Sequence, residues 1–167
     1  MAKSAKNNFS KGDYVVYPTH GVGRVKDIIT QDFSGVKLSL VVVHFEKSRL
    51  TLRVPMDKVE VSGLRKLASP DTIISAIKTL KTKPQIKRSM WSRRAQEYET
   101  KINSGDPVSI AEVVRDLHRG ANRAEQSYSE RQIYEQALGR LASEYAAIEA
   151  IAEADAEAKI ENILGKF

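Results

Sequence analysis

Between Gly63 and Ser69 the chain changes its hydrophobic period, and no other feature limits its fold as strongly. Before that junction, apolar residues come in short β-branched and aromatic runs. After it they recur at three- and four-residue spacings, with essentially no strand signal. Period two sends alternate side chains to opposite faces of a sheet, whereas spacings of three and four gather them on one face of a helix. Two kinds of core are therefore expected in one chain: a β module first, an all-α module second. The expected class is α+β, with a flexible start over 1–10, a β module over 11–66 and a helical module over 69–167.

The β texture begins with Tyr14-Val-Val-Tyr17, followed by the turn formers of Pro18-Thr-His-Gly-Val-Gly23. Residues 24–30 and 38–45 read as strands two and three, with a turn over Gln31–Gly35 between them. Glu46–Arg49 turns into Leu50-Thr-Leu-Arg-Val54, which alternates and stops at Pro55. Met56–Val61 reads as a short helical turn and a closing strand. Four or five short antiparallel strands in about fifty residues make a small curled sheet or SH3-like barrel. A module that size has no room for a deep pocket, so its working surface is an edge or a loop face.

Beyond the junction, Ser69-Pro-Asp-Thr72 is a helix start, with a cap residue, proline at the first helical position and an acid in the first turn. Ile73, Ile74, Ile77 and Leu80 supply its stripe. Trp91, Ala95, Tyr98 and Ile102 share one face of a second helix ending near Ser104-Gly105. Asp106-Pro107 opens a third, with Ile110, Val113, Val114 and Leu117 inward. Ser129–Gln132 has capping-box spacing before a long helix, and the Ala/Glu-rich stretch to Leu164 reads as one last helix.

Enzymatic chemistry finds little support. Cysteine is absent, which removes disulfides, thiol catalysis and thiolate-bound metals. His20, His44 and His118 lack a second ligand at i+3 or i+4. His20-Gly-Val-Gly23 lacks the lysine and following helix of a phosphate-cradling loop and reads as a tight hairpin. No nucleophile elbow or apolar carboxylate pair is present. Neither a membrane span nor a signal peptide is read, so the expectation is a cytoplasmic protein without cofactor, metal or membrane partner.

Charge is more telling. The net +6 is unevenly spread: residues 78–94 carry seven Lys/Arg and no acid, whereas 142–167 carry six acids and two bases. That middle stretch suits a polyanion. It contains the only tryptophan, Trp91, among Lys83, Lys87, Arg88, Arg93 and Arg94. A flat aromatic in a basic run can grip phosphates and wedge against bases. It can equally be a packed tryptophan beside a solvated face. The shared stripe with Tyr98 and Ile102 favours burial. The first-turn position, with Arg94 at i+3, favours projection beyond the bundle. Periodicity leaves both readings open.

Gly12-Asp-Tyr-Val-Val-Tyr-Pro-Thr-His-Gly-Val-Gly23 resembles the opening of the CarD/CdnL family of bacterial transcription regulators. Leu50-Thr-Leu-Arg-Val-Pro55 is similar to a later strand of that family. Trp91-Ser-Arg-Arg94, Ser104-Gly105-Asp106 and Ala111-Glu-Val-Val-Arg-Asp-Leu117 resemble its helical half. The ordered set runs from Lys11 to about Leu164.

The resemblance implies a Tudor-like module docked on the RNA polymerase β subunit. It also implies a compact helical domain on promoter DNA at the upstream edge of the melted bubble, stabilising the open complex without reading sequence. On it, Trp91 is a minor-groove wedge, Arg93 and Arg94 grip the adjacent backbone, and Lys87, Arg88 and Arg131 are further phosphate contacts. Arg53 matches a polymerase-contacting position, with Leu52, Val54 and Pro55 around it. A monomer is the expected state. Gln31 and Gln96 replace basic residues of some relatives, and the chain carries no AT-hook-like basic tail. A different class, an RNA- or ribosome-associated SH3-like module, is the alternative reading; a purely structural adaptor is a third.

Overall fold

The computed structural model describes residues 9–85, 87–118 and 127–165, and the chain divides between Leu67 and Ala68 into two compact units. The first is a five-stranded antiparallel sheet of strands β1 (Tyr14–Tyr17), β2 (Gly21–Phe33), β3 (Val36–Phe45), β4 (Leu50–Pro55) and β5 (Arg65–Lys66), in the order β4-β3-β2-β1-β5. A 3-10 turn (Met56–Lys58) and one helical turn, α1 (Val59–Ser62), lead from β4 to β5. This is the small Tudor/SH3-like arrangement expected from sequence. Its core is Val15, Val25, Val41, Val43, Phe45, Val54, Val59 and Leu64, together with Phe9. Phe9 fell inside the flexible start expected over 1–10; its 7% exposure places it in the packed interior instead.

Glycine is required at two close approaches. A Cβ on Gly23 would lie 2.7 Å from the Phe45 ring and 2.8 Å from Val43. Gly63 ends α1 at φ 83°, where a side chain would also meet Pro18. The β2–β3 turn is narrower than expected. Pairing continues to Phe33–Val36, and only Ser34 (φ 50°) and Gly35 (φ 83°) turn. Positive φ at both central residues is a two-residue hairpin whose twist matches its strands, so the strands extend to its edge. A bulge between Val25 and Asp27 ends the inward alternation of β2, and beyond it the strand has no buried residue.

The second unit holds α2 (Pro70–Leu80), α3 (Trp91–Asn103), α4 (Pro107–Leu117), α5 (Tyr128–Glu149) and α6 (Glu153–Leu164). Helix α4 is central, and its last five residues, Val113 to Leu117, are all buried. It packs on α2, α3 and α5, and α6 closes against α5. Ile102, Val113, Leu117 and Ile160 are among the wholly buried side chains. Burying each stabilises the fold by about 1.5–3 kcal/mol. Two expectations are corrected. Ile74 is 48% exposed, and Ala76 takes its place inside with Ile73 and Leu80. The α5 cap is Ser127, whose hydroxyl accepts from Glu130 N at 3.2 Å, so Ser129 is already helical. Ser127-Tyr-Ser-Glu130 has the same capping-box spacing, which made the two frames indistinguishable by pattern.

Candidate nucleic-acid interface

Helix α3 begins unlike the other long helices. Ser69, Asp106 and Ser127 cap α2, α4 and α5 through side-chain oxygens, and α6 has Glu153 and Asp155 in its first turn. At α3 the cap position is Met90, with no side-chain cap, no acid in the first turn, and Arg93 and Arg94 there instead. A helix N-terminus carries unsatisfied N–H groups and about half a positive charge. Adding two cations there is locally unfavourable, and a phosphate would satisfy both features at once.

Around this end the structure gathers most of the residues expected from sequence. Trp91 is half-buried and packs on the helical core, its ring 6.2 Å from that of Tyr98. The Arg94 guanidinium lies 5.3 Å from the indole centroid, a cation–π contact. Arg94 Nε is enclosed without a hydrogen-bond partner among the described residues, as is Ser89 Oγ. Arg88 and Arg93 are exposed. Lys87 is exposed too, but its Nζ donates to Glu97 at 3.3 Å. Arg131 is different: it sits on the first turns of α5, pairing with Glu135 of the same helix at 3.5 Å.

The approach to α3 is fixed from within. Asp116 on α4 is buried, and its Oδ1 accepts from Gln85 N and from Arg115 Nε, both at 2.9 Å. Arg115 also donates to Thr82 Oγ1 at 2.7 Å. The segment preceding the basic run is thereby pinned to the central helix. A cavity of about 240 Å³ opens beside it. Three ion pairs line it: Lys87–Glu97, Lys101–Glu112 and Arg115–Asp116. Arg94 is the remaining cation, with no acidic partner among the described residues. Sequence reasoning missed Asp116 and Glu97. An acid set among Val113, Val114 and Leu117 was the available signal for Asp116; Glu97 meets Lys87 through folding across ten residues, which no helical spacing reports.

In the first unit β4 is an edge strand. Among the described residues no further strand pairs with its outer side, where the backbone of an edge strand can take up a partner strand. Arg53 is exposed, Leu52 and Pro55 are half-buried, and Val54 is buried. The alternation leaves Arg53 as the outward side chain and turns Val54 into the core, so Val54 can meet a partner only through its backbone. His44, on β3, bonds Thr51 of β4 at 3.0 Å, and His20 stacks on Tyr17. Among the described residues, no group of three or more His, Cys, Asp or Glu could hold a metal.

Two family descriptions match the chain: "CarD-like/TRCF RID domain" over residues 9–68 and "CarD, C-terminal domain" over 75–161. A Bacillus subtilis (strain 168) protein named "Putative transcription factor YdeB" is 32% identical over 149 residues, 87% of this chain and 95% of its own length. The chain belongs to the CarD/CdnL family. A solution structure of the 72-residue N-terminal domain of Myxococcus xanthus CarD is 40% identical over 37% of this chain and 83% of its own, with a TM-score of 0.32. Membership in the CarD family gives this chain a role in transcription, in a family of the transcription-factor type and not a known enzyme family. The CarD-like RID domain is of the polymerase-interacting kind. No helix among the described residues of this CarD-family chain is long and apolar enough to cross a membrane.

Proposed function

We propose that the β module (11–66) docks on the RNA polymerase β subunit and that the helical module (69–167) contacts promoter DNA non-specifically, stabilising the open complex. The observation that carries the DNA half is the start of α3, uncapped, without an acid and set with Arg93 and Arg94 beside Trp91. Trp91 acts as a wedge in the minor groove at the upstream edge of the bubble, and Arg93, Arg94, Arg88 and Lys87 grip phosphates around it. Arg131, at the start of α5, is a further phosphate contact. The open edge of β4 supports docking by strand addition, with Arg53 outward and Leu52 and Pro55 at the margin.

A wedge at a kinked step removes part of the gain from reclosing the duplex, which amounts to a few kcal/mol per step. A preference of about 1.4 kcal/mol for the open state shifts the equilibrium tenfold. The test is open-complex lifetime on a linear promoter with polymerase. Trp91→Ala is expected to fold and bind polymerase normally and to shorten that lifetime about tenfold. A variant that unfolds instead would make Trp91 a core residue and end the wedge reading. Recovery of ribosomal RNA rather than polymerase from lysate would favour an RNA-associated module.

A further inference from the structure

We infer that Met90 is a second apolar element of the wedge, entering the DNA ahead of Trp91; the inference rests on the DNA contact proposed above. Met90 is 78% exposed, directly before Trp91 and at the cap position of α3. A lone exposed apolar side chain is ordinary. This one occupies a position where Ser, Thr, Asp or Asn would stabilise the helix by about 1 kcal/mol, and three other helices of the unit use such residues. Local stability asks for a polar cap, and the chain has an unbranched thioether in water. A break with a local rule between exposed Arg88 and Arg93 is where a function is expected.

The position of the indole sharpens the point. Trp91 is held back by Tyr98 and by the Arg94 guanidinium, and it lies at the margin of the core. Met90 has no place in either hydrophobic cluster. The side chain that projects from the tip is therefore methionine, with tryptophan behind it. Exposed Arg88 and Arg93 flank it in sequence, so an apolar tip is carried between phosphate-binding charges. That pattern fits one occupant, a partly unstacked duplex step, because methionine is among the side chains that insert between bases while adjacent cations hold the backbone. A wedge of two residues covers more of the exposed base face than an indole fixed at the helix margin could by itself.

The experiment uses the full-length chain with polymerase on a linear promoter, reading open-complex lifetime and the chain's melting temperature. Met90→Leu keeps the apolar volume, Met90→Gln replaces it with a polar side chain of similar length, and Trp91→Ala is the reference. Met90→Gln is expected to shorten the lifetime about fivefold and Met90→Leu to stay within about twofold of the parent, with melting unchanged in both. If Met90→Gln matches the parent while Trp91→Ala shortens the lifetime, the Met90 role is wrong and the DNA reading stands. If Met90→Leu loses as much as Met90→Gln, apolar insertion is not the cause and the proposal falls. If neither Trp91→Ala nor Met90→Gln changes the lifetime, the DNA reading falls with it.

Discussion

Asp116 is the residue on which the approach to α3 depends. Buried at 3% exposure, it compensates Arg115 and holds the Gln85 amide. Asp116→Ala would leave the Arg115 guanidinium enclosed without its carboxylate, at a cost of about 3 kcal/mol measured by urea denaturation. A loss below about 1 kcal/mol would show that the segment holds without this clamp. Tyr134 carries a second expectation. Burial first, then the charges of Glu161, Glu157 and Glu135, hold its phenol well above the ordinary value of 10.0. The folded chain keeps the proton where the unfolded chain releases it. The contribution to stability is therefore complete below about pH 10 and falls as pH rises further. Tyr134→Phe cannot ionise, so its alkaline melting curve should be flatter than the parent's, after losing about 1 kcal/mol with the hydroxyl that meets His118 at 3.2 Å. Equal slopes would remove Tyr134 from the alkaline response. Sequence identified the residues around Trp91 because composition and helical spacing are local. It could not say that Arg94 folds over the indole or that Glu97 takes Lys87, because rotamers and cross-segment pairs are set by packing.

Among the elements, α3 shows a conflict between stability and the proposed contact. Met90→Asp would supply the missing cap and the missing acid, stabilising the helix by about 1 kcal/mol. The same carboxylate would repel phosphate, so DNA affinity should fall several-fold and its salt dependence should become shallower. Thermal melts and DNA titrations at several salt concentrations check both halves; undiminished affinity would mean that phosphates do not sit at this helix end. The start of α3 was legible in sequence because a stripe begins at Trp91 after Pro84 breaks the preceding pattern. The α2 and α4 starts were legible for the same kind of reason, Ser-Pro and Asp-Pro being local signals. The β2–β3 turn was misjudged in width because Gln31 and Asp32 resemble turn residues, yet ladder pairing with Leu38 and Lys37 keeps them extended. Tertiary pairing outweighed local propensity there.

At the scale of the molecule, the division at Leu67/Ala68 separates two jobs in the proposal, and the separation has a quantitative consequence. A DNA contact made by a few cations and an apolar tip is weak by itself. Docking through β4 would raise its effective concentration at the promoter into the millimolar range without adding any DNA contact. Arg53 is exposed on that edge strand, so Arg53→Glu should leave the fold intact and abolish co-purification with the β subunit. What it should not abolish is the wedge. In a titration of open-complex lifetime against protein concentration, the Arg53→Glu midpoint should move up about a hundredfold while the plateau stays at the parent's value. Trp91→Ala should do the reverse, lowering the plateau at an unchanged midpoint, because docking is untouched and the gain per bound molecule is smaller. An unchanged midpoint for Arg53→Glu would remove Arg53 from docking. A fallen plateau for that variant would mean that polymerase contact orients the helical module on the DNA as well as tethering it there.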